Sequence, residues 1–214
     1  MTNYVITIAR GYGSGGRTIG KMLAKELGIA YYDRELLKLA SEESGINEQL
    51  FGKHDENIGN SLLNRIMKGA YKGELIPPDS EDFISNDNLF NYQAKVINEL
   101  AVSQSCVIVG RCADYILKDM DHVVKLFVHA SLADCTNRLV EMYGQSAKEL
   151  EKKIITTDKR RAAYYNYYTG RSWNDANNYD LCLNMGRLSF EKGVEIVKAY
   201  LDIKFKDSMD SSFK

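Results

Sequence analysis

Short apolar runs and stretches of helical periodicity alternate along most of this 214-residue chain. Residues 4–9 form an apolar run with β-branched members, which predicts a buried strand. After a glycine-rich segment, apolar residues recur at helical spacing up to Gly28, a residue type that commonly ends helices. A second short strand is predicted at residues 29–32. The chain therefore opens as strand, glycine loop, helix and strand.

The rest of the chain continues this alternation. Further strands are predicted at residues 106–109, 123–128 and 179–184, and helices at residues 89–103 and 190–205. Ser131 and Ser146 each precede an acidic residue by the spacing of a capping box, so a helix is expected to begin at each. Strands separated by helices predict a parallel sheet covered on both faces, which is an α/β fold. The residues from 206 to 214 are polar and are expected to form a frayed tail.

Composition and charge exclude several classes of protein. The hydrophobic fraction of 44% is ordinary for a globular chain, and a net charge of −1 gives no attraction to nucleic acid or to a membrane surface. The 4 cysteines have neither metal-ligand spacing nor the density of a disulfide scaffold, and no apolar stretch approaches the ~20 residues of a membrane span. We expect a cytoplasmic protein without nucleic-acid or membrane partners. Monomer and homodimer both remain open.

The most informative segment is the glycine loop at residues 11–18, Gly-Tyr-Gly-Ser-Gly-Gly-Arg-Thr. It fits the phosphate-loop pattern G-x-x-x-x-G-K-[ST] except that arginine replaces lysine. Glycines allow successive backbone N–H groups to curve around phosphate oxygens, and the following helix adds its positive end. In this interpretation the hydroxyl of Thr18 lies beside Mg²⁺. The predicted phosphate-binding residues are Gly11, Gly13, Ser14, Gly15, Gly16, Arg17 and Thr18.

The same loop also fits the dinucleotide-binding pattern G-x-G-x-x-G. Asp33 follows Gly16 by 17 positions, close to where a dinucleotide fold places the acid that binds ribose. A glycine-rich turn that binds nothing is a third interpretation. The hydroxyl at Thr18 and the lack of a second substrate domain favour the mononucleotide phosphate loop.

The chain resembles nucleoside monophosphate kinases, and most closely the cytidylate kinase-like family. The resemblance runs from residue 6 to 33, then through Val-Ile-Val-Gly-Arg at 107–111, the strand at 124–128, Asp-Lys-Arg-Arg-Ala-Ala-Tyr-Tyr at 158–165 and the segment at 179–184. It implies one P-loop kinase domain over residues 1–205, a three-layer α/β/α core with an acceptor-binding insert at about 34–88 and a lid at about 146–173. It also implies Mg²⁺-dependent phosphoryl transfer from ATP to a nucleoside monophosphate, with CMP or dCMP favoured, or to a similar small phosphorylated acceptor.

The resemblance also assigns roles to single residues. Arg111 matches an arginine beside the acceptor phosphate. Arg160, which the resemblance does not assign, is a further candidate for the acceptor, with a solvated helix face as the alternative. Asp158 and Arg161 match the D-x-x-R pair of the lid, in which the arginine meets the transferring phosphoryl group. Asp33 lies where the acceptor pocket begins, although an aspartate there is also a common helix cap. The candidate catalytic residues are therefore Arg17, Arg111, Asp158 and Arg161.

Two departures from the family pattern leave other functions open. The family's Asp-Gly-Arg-Asp at the third strand is Val-Gly-Arg-Cys at residues 109–112, so both flanking carboxylates are missing. Ile154 and Thr157 stand where cytidylate kinases carry lid arginines. The missing carboxylates and Arg17 motivate a second hypothesis, a regulatory protein that binds a nucleotide with little turnover, while the missing lid arginines bear on the identity of the acceptor. A small NAD-binding oxidoreductase is the third.

Overall fold

The chain folds around one parallel sheet. The computed structural model describes residues 3–56, 74–80 and 82–210. Within these residues the strands are β1 (Val5–Arg10), β2 (Ala30–Tyr32), β3 (Cys106–Val109), β4 (Val123–His129) and β5 (Leu181–Asn184), in the order β2-β3-β1-β4-β5. All four pairings are parallel, so every strand ends at the same edge of the sheet. The predicted α/β fold is confirmed.

The strand order decides between the two interpretations of the glycine loop. In a dinucleotide fold the strand that follows the first helix lies directly beside the first strand. Here β3 lies between β1 and β2. The strand order therefore does not match the one that the dinucleotide-binding interpretation requires. The phosphate-loop interpretation requires only that the loop join a strand to a helix, and here it does.

Helices cover both faces of the sheet. The described helices are α1 (Gly16–Leu27), α2 (Glu35–Ser44), α3 (Glu48–Glu56), α4 (Asn86–Ser103), α5 (Ala113–Ile116), α6 (Leu132–Tyr143), α7 (Ala147–Thr169) and α8 (Phe190–Asp210). On one face α1 and α8 bury Leu23 and Val197 against β1, β3 and β4. On the other face α2 and α4 bury Leu36 and Ile97 against alternate residues of the strands. None of the helices in these ranges is long and apolar enough to cross a membrane.

Most element boundaries follow the local signals in the sequence. The hydroxyls of Ser131 and Ser146 accept hydrogen bonds from the amides of Asp134 and Glu149, at 3.1 and 3.4 Å, and thereby cap α6 and α7. The end of α8 differs, because the helix continues to Asp210 and so includes residues 206–210 of the expected tail. Contact between the rings of Phe205 and Tyr4, 5.7 Å apart, docks this end of the helix on the core. Residues 211–214 lie outside the described residues.

The segments predicted as insert and lid correspond to helices around the carboxyl edge of the sheet. In the predicted insert, α2 and α3 bury Leu37 and Phe51 in the same cluster as Leu89 of α4. Residues 57–73 and 81 of that insert lie outside the described residues. The predicted lid is formed mainly by the single long helix α7. The division of the chain into core, insert and lid stays a prediction.

Candidate functional site

The glycine loop brings the start of α1 to the carboxyl edge of the sheet. Gly13 and Gly15 have φ angles of 78° and 92°, values that favour glycine, and α1 begins after Gly15 without a side-chain cap. The first-turn amides of a helix have no partner within the helix, and they lie at the positive end of its dipole. The hydroxyl of Ser14 donates to the carbonyl of Gly11 at 2.8 Å and fixes the curve of the loop. The backbone is therefore arranged to bind an anion.

Packing requires glycine at two positions of the loop, Gly15 and Gly16. A Cβ atom on Gly15 would collide with the ring of Phe190. A Cβ atom on Gly16 would lie 2.5 Å from the Cβ of Arg10. The loop is thus packed between α8 and the last residue of β1, with no room for a side chain at either glycine.

Asp33, at the end of β2, holds two arginines. Nε of Arg17 lies 2.7 Å from the carboxylate of Asp33, which also accepts a hydrogen bond from Nη2 of the same arginine at 3.4 Å. Nη2 of Arg10 lies 3.8 Å from the same carboxylate. Asp33 does not cap α2, whose N-cap position is Arg34 without a side-chain cap, and instead its amide donates to Glu35 at 3.1 Å. The aspartate is therefore committed to the arginines in this structure.

A left-handed turn presents Arg111 at the end of β3. Gly110, Arg111 and Cys112 have φ angles of 81°, 61° and 56°. Non-glycine residues rarely adopt such angles, which cost about 1–3 kcal/mol each and tend to occur at functional sites. Burial lowers the pKa of Arg111, which lines the same cleft as Arg17. The strained backbone of this turn therefore lies at Arg111, a residue predicted to bind a phosphate.

The helix α7 docks on the glycine loop through the predicted Asp158/Arg161 pair. Asp158 accepts from the amide of Tyr12 at 2.8 Å and from Nη1 of Arg161 at 3.3 Å. The same Nη1 donates to the carbonyl of Arg10 at 2.9 Å. Burial raises the pKa of Asp158 and lowers that of Arg161. The structure therefore brings this pair directly to the loop, whereas Arg160 is exposed and lines the cleft farther out.

A cleft of about 890 Å³ connects these residues, and we call it the arginine cleft. Its described basic lining residues are Arg10, Arg17, Arg34, Arg111, Lys153, Arg160 and Arg161. Asp114 is the carboxylate in the described lining, where it accepts from the hydroxyl of Tyr165 at 2.6 Å. Burial raises the pKa of Asp114 to about 6. The excess of positive charge fits a polyanionic ligand.

Three residues near the site were not singled out by the sequence pattern. Arg10 interrupts an apolar strand just before the glycines, and that position was a usable signal. Arg138 donates to the carbonyls of Gly13 and Met185 at 2.6 and 2.9 Å and ties the loop to the segment before α8. Asp114 lines the cleft just after the left-handed turn, and the sequence pattern did not indicate that position.

The tyrosines of α7 serve packing. Tyr164, Tyr165 and Tyr168 are buried, and the ring of Tyr168 stacks on Phe90 with centroids 3.9 Å apart. They pack the carboxyl-terminal half of α7 against α4, while the other half packs against α6 in a cluster that includes Tyr12 of the loop.

Comparison with known proteins identifies the family. A family model described as the cytidylate kinase-like family matches residues 5–187, and the chain belongs to that family. It is 26% identical to a cytidylate kinase of Pyrococcus horikoshii, over 92% of this chain and 88% of the relative. A cytidylate kinase of Methanopyrus kandleri is 24% identical, over 92% of this chain and 93% of the relative. The family recognised from the sequence is confirmed.

Solved structures share the fold. An uncharacterized protein of Eubacterium ventriosum superposes with a TM-score of 0.69 at 25% identity, covering 94% of this chain and 99% of its own. A gluconokinase of Sinorhizobium meliloti gives a TM-score of 0.57 at 13% identity, covering 99% and 98% of the two chains. A shikimate kinase of Bacteroides thetaiotaomicron gives a TM-score of 0.53 at 17% identity, covering 93% of this chain and 98% of its own. The last two likenesses establish the architecture of the sheet and its helices.

Proposed function

We propose that this member of the cytidylate kinase-like family transfers the terminal phosphoryl group of ATP to a nucleoside monophosphate, with CMP and dCMP as the first candidates. The general class, a nucleotide kinase, agrees with the family. The observation that carries the proposal is the arginine cleft, in which Arg17, Arg111 and Arg161 line one cavity beside the glycine loop. The cytidylate kinases among the relatives support the acceptor class.

The loop fits the triphosphate of a nucleotide. The uncapped first turn of α1 and the left-handed glycines supply backbone donors, and Arg17 supplies a charge for the outer phosphates. The proposed donor-binding residues are Gly11, Gly13, Ser14, Gly15, Gly16, Arg17 and Thr18. ATP would supply the activated phosphoryl group.

A magnesium ion fits this loop if phosphates and water provide most of its ligands. Among the described residues there is no group of three or more His, Cys, Asp and Glu side chains that could hold a metal by itself. Mg²⁺ usually keeps several waters and adds one or two protein ligands to the phosphates of a substrate. The hydroxyl of Thr18, in the first turn of α1, is the proposed protein ligand.

The proposed chemistry needs little covalent help from the protein. A phosphate oxygen of the acceptor attacks the terminal phosphorus, the new P–O bond forms, and the bond to the bridging oxygen breaks with its electron pair leaving on the diphosphate. The attacking oxygen carries no proton, so no general base is required. Arg111 and Arg161 neutralise the phosphoryl charge and align the two polyanions. Asp158 positions Arg161, and α7 excludes water that would otherwise hydrolyse the donor.

A panel of acceptors tests this proposal. ATP consumption is measured with CMP, dCMP, UMP, dTMP, AMP and GMP, each with and without Mg²⁺. We expect turnover with at least one pyrimidine monophosphate and a large loss in the variant Arg161→Met. Lys198→Met is the matched control, since Lys198 pairs with Glu26 on the α1–α8 surface and does not line the cleft. Absence of turnover with every acceptor would overturn the proposal.

One observation favours a second function. In the structure Arg17 is bound to Asp33 at 2.7 Å, so the basic residue of the loop already has an anionic partner within the protein. A regulatory protein that holds a nucleotide with little turnover would tolerate this arrangement. Tight ATP binding together with no turnover across the acceptor panel would select this alternative.

A further inference from the structure

The structure makes room for the side chain of Arg10 across three strands. Arg10 ends β1, Asp33 follows β2, and β3 lies between those strands. To approach Asp33, the guanidinium passes over Gly110, directly after β3, where a Cβ atom would collide with Nη1 of Arg10. Gly16 leaves room for the beginning of the same side chain. Two glycines on separate elements therefore accommodate one partly buried arginine.

The surroundings of Arg10 leave its charge incompletely compensated. Its side chain is 15% exposed, and Nε has no hydrogen-bond partner among the described residues. Its ion-pair partner Asp33 lies 3.8 Å away and shares its carboxylate with Arg17 at 2.7 Å, and Asp158 also interacts with Arg10 electrostatically. Burial and the neighbouring charge of Arg161 lower the pKa of Arg10 to about 9. An arginine with a structural role alone would normally be better paired.

We propose that Arg10 is a phosphate-binding residue on the acceptor side of the arginine cleft, with Asp33 as its positioning residue. The ligand is a phosphate monoester dianion, which supplies the hydrogen bonds and the negative charge that Arg10 lacks. The inference rests on the proposed function and assigns to that reaction a residue additional to Arg111 and Arg161.

The position of Arg10 favours the acceptor over the donor. The guanidinium extends from β1 toward the end of β2, next to the turn that presents Arg111. The uncapped first turn of α1, which follows Gly15, is proposed for the donor phosphates. Asp33 holds Arg10 and Arg17 from the β2 side. One carboxylate therefore links an arginine proposed for the acceptor to the arginine proposed for the donor.

Phosphate binding tests the proposal without turnover. Inorganic phosphate is titrated calorimetrically into the protein while Mg²⁺ and the non-hydrolysable analogue AMP-PNP fill the donor loop. We expect Arg10→Met to weaken phosphate binding by about 10- to 100-fold, the loss typical of a hydrogen bond to a charged group. AMP-PNP affinity should change less than about threefold, well under that loss. Lys198→Met removes the same charge from the surface and should alter neither.

Stability and chemical rescue separate this role from a structural one. Because Arg10 is poorly paired, Arg10→Met should unfold at the same temperature as the wild type or a higher one. In Arg10→Ala, millimolar guanidinium should restore phosphate binding, while equal ammonium should not. The proposal is overturned if the wild type does not bind phosphate under these conditions, if Arg10→Met binds it normally, if AMP-PNP affinity falls equally, or if guanidinium fails to rescue. Failure of the kinase proposal would appear separately, as no turnover on the acceptor panel.

Discussion

Replacing Gly110 by alanine perturbs Arg10 without changing Arg10 itself. Gly110 has a φ angle of 81°, and the nearest atoms to an added methyl group would be three atoms of the Arg10 guanidinium. The guanidinium is the far end of a flexible side chain, so it can move aside. We therefore expect Gly110→Ala to displace Arg10 from Asp33 and from the proposed phosphate site.

The expected loss of stability has two parts. An L-residue in the left-handed region costs about 1–2 kcal/mol. Unlike Arg10→Met, Gly110→Ala keeps the charge of Arg10 in the cleft while weakening its 3.8 Å pair with Asp33, which adds at most about 1 kcal/mol. The sum of about 1–3 kcal/mol corresponds to a fall in Tm of very roughly 2–12 °C for a chain of this size.

Gly144→Ala is the matched control, because Gly144 has a φ angle of 65° and nothing lies within 4 Å of an added Cβ. Gly144→Ala should lose only the stability that an L-residue costs in the left-handed backbone conformation, about 1–2 kcal/mol. Thermal unfolding and phosphate binding are measured for both variants and for Arg10→Met/Gly110→Ala. Gly110→Ala should lose about as much phosphate affinity as Arg10→Met, and the double variant should lose no more. If Gly110→Ala and Gly144→Ala bind phosphate equally well, the placement of Arg10 over Gly110 is wrong.

Three further predictions concern single side chains. Arg17→Ala should weaken ATP binding more than adenosine binding, since its proposed contact is with the outer phosphates; equal losses in calorimetry would count against that contact. Burial raises the pKa of Asp114 to about 6, above its ordinary value of about 4 in an unfolded chain. Its contribution to the free energy of unfolding should therefore be complete below about pH 4, where the carboxyl is protonated in both states. That contribution, roughly 3 kcal/mol, should be lost as the pH rises through 6. Denaturation of Asp114→Asn should lack this pH dependence, and parallel curves for the two proteins would contradict the assignment. Asp158→Ala leaves the amide of Tyr12 without its 2.8 Å partner and should increase hydrogen exchange there and in the first half of α7; unchanged exchange would show that the pair does not hold the helix.

The sequence predicted the parts of the fold that depend on neighbouring residues. Strands are visible as short apolar runs, and Ser131 and Ser146 mark helix starts because a cap bonds to an amide three residues away. The glycine loop is visible for the same reason, since its backbone geometry is local. The end of α8 was placed too early, because residues 206–210 are mostly polar and carry little of the apolar periodicity by which the rest of the helix was recognised.

The candidate site was predictable only in part, because its electrostatics depend on strand order. Arg17 and Asp33 were singled out separately, but their ion pair was not foreseen. The position of Arg10 just before the glycines is visible in the sequence, but its approach to Asp33 depends on β3 lying between β1 and β2. The strained turn at Arg111 and Cys112 has no sequence signal, since neither residue favours the left-handed region.

The most direct test of the account follows the phosphoryl group itself. In ³¹P NMR of the protein with ATP, Mg²⁺ and CMP or dCMP, the account predicts ADP and the corresponding diphosphate in equal amounts, with Arg161→Met strongly impaired. Release of inorganic phosphate without a new diphosphate, or unchanged ATP after prolonged incubation with every acceptor of the panel, would contradict phosphoryl transfer between nucleotides.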